Sequence, residues 1–112
     1  MAEPGEIFAA IEKQPPLMRA QTKVAYIGQE VGWALTFEDG FEEQSGKARV
    51  LFRYQPHDIK YIAMSVPLSD YPWLRSMRRG EPVQVHGRIA AIGTMSIELK
   101  DASLLQLVEA AR

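Results

Sequence analysis

The stretch VQVHGRIAAIGTMSIELKDASL, Val83 to Leu104, alternates apolar and polar residues, breaks at Gly93-Thr94, and alternates again. A period of two marks half-buried β-strands, and glycine with a small polar residue between two such runs marks a tight turn. The stretch is therefore two strands joined end to end. One residue disturbs the pattern. Gly87 lies inside the first strand, where glycine has no side chain to pack and weakens the ladder. A glycine there points to a sharp bend, or to a place where another backbone comes close. Val83, Val85, Ile89 and Ala91 then face one interior on either side of it, and Ile97 and Leu99 continue that face after the turn.

The same period occurs earlier in the chain. Val31, Trp33, Leu35 and Phe37 alternate with smaller residues, and Ala48, Val50, Phe52 and Tyr54 alternate with Lys47, Arg49, Leu51 and Arg53. A third run, Ile59 to Val66, buries Ile62, Met64 and Val66 on one face and shows Tyr61 on the other. Between these runs, EDGFEEQSG reads as an acidic loop and Gln55-Pro56-His57-Asp58 as a turn. SDYPWLRSMRRG has Ser69 or Asp70 as a candidate cap, Pro72 in a first turn, and Gly80 as a stop. It predicts a short helix with Trp73, Leu74 and Met77 on its inner side. Arg75, Arg78 and Arg79 sit near its C-terminal end, where positive charge suits the helix dipole.

Ahead of the strands the period is helical. Pro4 suits a first turn, and Ile7, Phe8 and Ile11 form one stripe. Pro15-Pro16 interrupts it, and Leu17, Ala20, Val24 and Ile27 share a second face before Gly28. The chain thus divides into an N-terminal helical segment over 1–27, a strand-rich unit over 28–108, and a short tail over 109–112.

The predicted order is strand, strand, strand, short helix, strand, strand. This mainly β order is that of the OB-fold, a five-stranded Greek-key barrel. In that fold a helix between the third and fourth strands closes one barrel end, and Trp73, Leu74 and Met77 are suitable residues for it. RGEPVQVHGRIAAIGTMSIELKDASLL resembles the second half of OB-fold domains, most of all the bacterial tRNA-anticodon-binding-like OB proteins. YIGQEVGWALTF is similar to their entry into the first strand. The resemblance spans roughly Tyr26 to Leu105 and rests on glycines and alternation. It implies a ligand face on the second and third strands, with oligonucleotide as one ligand class. A fold hosts many functions, so the residues must argue the ligand themselves.

On that face Lys47, Arg49 and Arg53 share one side of the second strand, and Tyr61 lies on the same side of the third. His86 and Arg88 fall on the outer side of the fourth strand. Cations interleaved with an aromatic ring suit single-stranded DNA or RNA: charge for phosphates, a flat surface for a base. Against this, the net charge is −1, and Glu38, Asp39, Glu42 and Glu43 would repel phosphates near the expected groove. The alternative is a protein-interaction or accessory domain, docking on a partner or a second copy through the N-terminal helices or the barrel surface.

The remaining features exclude more than they assign. Apolar residues make up 46% and charged residues 24%, ordinary for a folded domain of 112 residues. There is no cysteine, hence no disulfide or thiolate metal site, which fits a reducing compartment. The opening residues carry Glu3 and Glu6 without a basic cluster, unlike a signal peptide, and no apolar run is long enough to cross a membrane. A cytoplasmic protein without membrane contact is expected. The acidic loop lacks the spacing of a calcium-binding EF-hand loop, and Phe41 within it either folds onto the rim or serves as a contact residue. His57 and His86 lack metal-ligand spacing, and no phosphate loop, nucleophile elbow or carboxylate pair occurs. Neither an enzyme nor a cofactor is expected.

Overall fold

The apolar positions of the five strands converge on one interior because the sheet closes on itself. In the computed structural model, which describes residues 2–54 and 59–107, the strands are β1 (Glu30–Glu42), β2 (Lys47–Arg53), β3 (Tyr61–Pro67), β4 (Pro82–Ile92) and β5 (Ser96–Gln106). Their order around the barrel is β1-β2-β3-β5-β4, with β4 pairing back onto β1. Neighbours are antiparallel except β3 and β5, which run parallel. The turn expected at 55–58, including His57, and residues 108–112, which include the tail expected at 109–112, lie outside the described residues. Trp33, Phe52, Ile62, Met64, Val83, Val85, Ile89 and Ile97 fill the barrel.

Gly87 meets one of the expectations placed on it, the close approach of another backbone. It pairs with Val31 on one side. On the other, Asp101 and Ala102 share the place opposite it, because the register jumps from His86–Ser103 to Arg88–Lys100. That is a β-bulge, which tightens strand coiling. Asp101 takes a left-handed backbone with φ of 52°, a region its short polar side chain tolerates. A Cβ on Gly87 would stand 3.1 Å from the Lys100 carbonyl oxygen.

Two further bulges overturn details of the expected register. An extra residue at Ala90 separates the pairs Ile89–Leu99 and Ala91–Glu98. Because side chains alternate, one inserted residue swaps faces. Ala91 is therefore exposed, not inward as expected, and Ile92 is buried in its place. A second bulge between Phe37 and Asp39 lets β1 continue to Glu42 paired with β2. Most of the expected acidic loop is thus strand, and only 43–46 turn the chain. Exposed carboxylates set the polarity of a surface, while the backbone ladder beneath them is satisfied by β2.

The expected α-helix between β3 and β4 is not formed. Two 3-10 turns, Leu68–Asp70 and Pro72–Ser76, stand there instead. Tyr71 precedes Pro72, and proline pushes its predecessor out of the helical region; its φ and ψ are −135° and 62°. Neither Ser69 nor Asp70 caps a helix. Of the expected plug, only Leu74 is buried, while Trp73 and Met77 pack half-buried at the core's margin.

The helix that joins the core is α1 (Pro4–Glu12). Ile7, Phe8 and Ile11 are all buried with the barrel residues. Trp33 Nε1 donates to the Ala2 carbonyl at 2.9 Å, and Phe8 stacks on Tyr54 with centroids 6.1 Å apart. Lys60 pairs with Glu12 and lies 5.0 Å over the Phe8 ring. After it, a 3-10 turn at Pro16–Met18 leads into α2 (Arg19–Val24).

Candidate binding surfaces

Alternation puts Lys47, Arg49, Leu51 and Arg53 outward on β2 because Ala48, Val50 and Phe52 are drawn inward. Pairing then sets their neighbours: Arg49 lies opposite Ser65, Leu51 opposite Ala63, and Ala63 in turn opposite Glu98 of β5. Tyr61 begins β3 beside Ser96 and is half-buried. Lys47, Arg49, Arg53 and Tyr61 therefore do share one continuous outer face.

The cations of that face are largely engaged within the molecule. Arg49 reaches across β3 and forks onto Glu98, with Nη2 donating to Oε2 at 2.6 Å and Nη1 to Oε1. A bidentate charged pair of this kind is among the stronger polar contacts. Ala63 faces outward between the two strands yet is only 1% exposed. Its small side chain leaves room for the pair to span it. Hydrogen bonding to Glu98 makes the Arg49 guanidinium harder to deprotonate than usual, against an opposing effect of burial. Ser65 beneath Arg49 donates to Glu43 at 2.9 Å. Arg53 pairs with Glu38 at 3.0 Å, and Arg79 approaches the other oxygen of the same carboxylate at 3.4 Å. Lys47 is exposed and makes no ion pair with a described residue.

His86 and Arg88 stand elsewhere. β4 pairs with β1 and β5, not with β2 or β3. Arg88 lies opposite Glu30, donating to its carboxylate at 2.6 Å and to the Gly28 carbonyl at 3.2 Å. His86 lies over Gly32, whose missing side chain makes space for the imidazole; a Cβ there would be 2.7 Å from Nδ1. The six residues read from the sequence thus form a group of four and a separate group of two.

Glu98 escaped the sequence reading. Its outward direction was legible, because Ile97 and Leu99 point inward. Its approach to Arg49 was not, because that depends on parallel pairing between β3 and β5.

A third surface is apolar. Leu17 is 96% exposed and Val24 70%, with Met18, Ala20 and Ile27 exposed beside them. α2 buries no residue at all. Its opposite side, carrying Arg19, Thr22, Lys23 and Tyr26, is the half-buried one. Arg19 explains the orientation: its guanidinium donates to the carbonyls of Gln14 at 3.1 Å and Glu12 at 3.2 Å. Those carbonyls lie at and just beyond the C-terminal end of α1, where the ladder leaves acceptors open and a cation is favoured. Tying Arg19 inward turns Leu17 and Val24 outward. Phe41, on the distal part of β1, is also exposed.

Among the described residues, no group of three or more His, Asp or Glu side chains is placed to hold a metal ion, and no helix is long and apolar enough to cross a membrane. Set against known proteins, the chain matches no protein-family model, and no curated protein sequence matches it significantly.

Proposed function

We propose that the chain is a non-enzymatic binding module built on an OB-fold Greek-key barrel, and that it works by docking on a protein through the exposed face from Leu17 to Ile27. The strand order β1-β2-β3-β5-β4, with a parallel contact between β3 and β5, supports the fold assignment. The observation that carries the function is the reversed α2: polar side against the body, apolar side to solvent. Exposed apolar surface gathered on one element marks an interaction site more than scattered exposed residues do.

Magnitudes favour this face over the β2–β3 face. Covering Leu17 and Val24 removes apolar surface from water, worth roughly 1.5–3 kcal/mol for each side chain when fully buried. A phosphate on the β2–β3 face would have to draw Arg49 from Glu98 or Arg53 from Glu38. That exchanges one charged contact for another and gains little, and three carboxylates, Glu38, Glu43 and Glu98, would stay beside the phosphate.

A photoreactive residue at Ala20, with Lys100 on the barrel as control, tests the reading in living cells. Protein adducts at position 20 and none at position 100 are expected. Equal labelling at both positions would defeat it. Binding of single-stranded DNA or RNA pools at low salt, weakened by Arg49→Ala with Arg53→Ala, would put the nucleic-acid reading in its place.

A further inference from the structure

We infer that the barrel end beside the two 3-10 turns is a site for a small organic cation, an apolar body carrying an ammonium head. The site shares no residue with the face from Leu17 to Ile27 and does not depend on docking there. The sequence leaves this end of the barrel underfilled. Beyond the bulge at Glu38, Gly40 pairs with Val50 and Glu42 with Ala48. Directly paired residues of antiparallel strands point to the same face, and Val50 and Ala48 are buried inward. Gly40 and Glu42 thus hold inward positions, yet neither brings an apolar side chain, and both are exposed. The 3-10 turns that stand in place of the expected helix bury only Leu68 and Leu74. A cavity of about 350 Å³ remains, within the range of about 300–1,000 Å³ usual for small-ligand sites. Phe37, Val50, Leu68 and Leu74, all buried members of the core, are its apolar walls.

The charged residues of the lining choose the occupant. Asp39, Glu42 and Arg75 all line the cavity, two carboxylates against one guanidinium. Arg75 already donates to Glu42 at 3.0 Å. Asp39 accepts only the Gly40 N–H, at 2.8 Å, and makes no ion pair with a described residue. A cation can therefore join Asp39 without breaking any pair. An anion would have to take Arg75 from Glu42 and then lie beside two carboxylates. Phe41, which also lines the cavity and is 60% exposed, offers an aromatic ring, whose π-face attracts cations.

Three probes of one shape test the inference: phenylbutylamine, phenylbutanol and phenylbutyrate, titrated into the full chain and followed by amide shifts in heteronuclear NMR. The amine is expected to bind roughly five-fold more tightly than the alcohol at low salt, the reach of a partly exposed charge pair. The shifts should centre on Gly40, Ala48 and Leu74. Asp39→Asn keeps the acceptor for the Gly40 N–H and removes the charge, so it should erase most of the amine's advantage. Ala48→Leu adds bulk to the cavity wall and should weaken all three probes, with circular dichroism checking its fold. Should that variant fail to fold, the shift map and Asp39→Asn decide alone. Phenylbutyrate binding as tightly as the amine would overturn the cationic head. Shifts centred outside the cavity, or no saturable shift with any probe at millimolar concentration, would overturn the site itself.

Discussion

Two short helices open this chain, and their sequences look alike. α1 begins at Pro4, α2 follows a 3-10 turn that begins at Pro16, and each segment carries apolar residues at helical spacing. α1 buries Ile7, Phe8 and Ile11 in the barrel core, while α2 and the turns that flank it leave Leu17, Val24 and Ile27 in water. Periodicity defines a face in both, but it does not say what covers that face. The neighbours decide. Tyr54 and Lys60 meet the ring of Phe8. The carbonyls ending α1 hold Arg19 and turn the apolar side of α2 away. A hydrophobic stripe is thus part of the fold in one helix and surplus to it in the other.

The largest test breaks the comparison at α1. Phe8→Ala should cost about 3–5 kcal/mol in urea unfolding, as for other buried aromatic rings. A domain of this size has only about 5–15 kcal/mol in total, so much of its stability would be lost. A cost below about 1 kcal/mol would mean that α1 rests on the barrel without being part of its core.

The interior of the barrel was legible because it is a local signal. Trp33, Val50, Met64, Val85 and Ile97 announce their direction by alternation with their own neighbours. The bulges at Glu38 and Ala90 were not legible, since an inserted residue is defined by the partner strand. Ala91 and Ile92 exchanged places for that reason, and the acidic segment around Asp39 proved to be strand. The tyrosine before Pro72 did carry a local signal against a helix, outweighed in the sequence reading by the apolar spacing of Trp73, Leu74 and Met77. On the surface, the grouping of Lys47, Arg49 and Arg53 follows from one strand and could be read. The engagement of Arg49 by Glu98 and of Arg53 by Glu38 arises from β5 and from the bulged part of β1, contacts that the order of residues does not display.

Two glycines sharpen the contrast between a space closed by backbone and one closed by a movable side chain. Gly87→Ala should destabilise by about 1–3 kcal/mol, the usual range for overpacking, because the new methyl meets the Lys100 carbonyl oxygen and the Leu99 Cβ. Gly32→Ala meets only side-chain atoms, of His86 and Gln84. His86 is exposed and its ring can swing aside. Thermal melts of the two variants should place Gly87→Ala well below Gly32→Ala. The reverse order would show that the bulge at Asp101 relaxes easily.

A smaller effect is expected where a surface does use its side chains. Arg49 and Glu98 keep 29% and 32% of their side-chain surface exposed, so water still screens them. A double-mutant cycle with Arg49→Met and Glu98→Gln should return a coupling of roughly 0.5–1 kcal/mol, the upper part of the range for partly exposed pairs. The coupling should fall as salt is added. A coupling indistinguishable from zero would mean that Arg49 is available to a ligand, and would reopen the β2–β3 face as a binding site.

The smallest effect is expected at α2. Leu17→Ser and Val24→Ser should each change stability by no more than about 0.5 kcal/mol, because surface substitutions away from packed or bonded groups remove nothing the fold uses. The comparable truncation in α1 costs several times more only because the barrel surrounds it. Val24 is the stricter of the two tests. It lies within the regular turn of α2, where serine has a slightly different helix propensity, whereas Leu17 precedes it in the 3-10 turn. Arg19→Ala provides the contrast on the same element. It removes the donor to the carbonyls of Glu12 and Gln14, so it should cost more than either serine substitution although Arg19 carries no apolar stripe. Urea unfolding of the three variants ranks them. If Leu17→Ser or Val24→Ser proved costlier than Arg19→Ala, the apolar face would be holding the fold together, and its assignment as a free docking surface would fail.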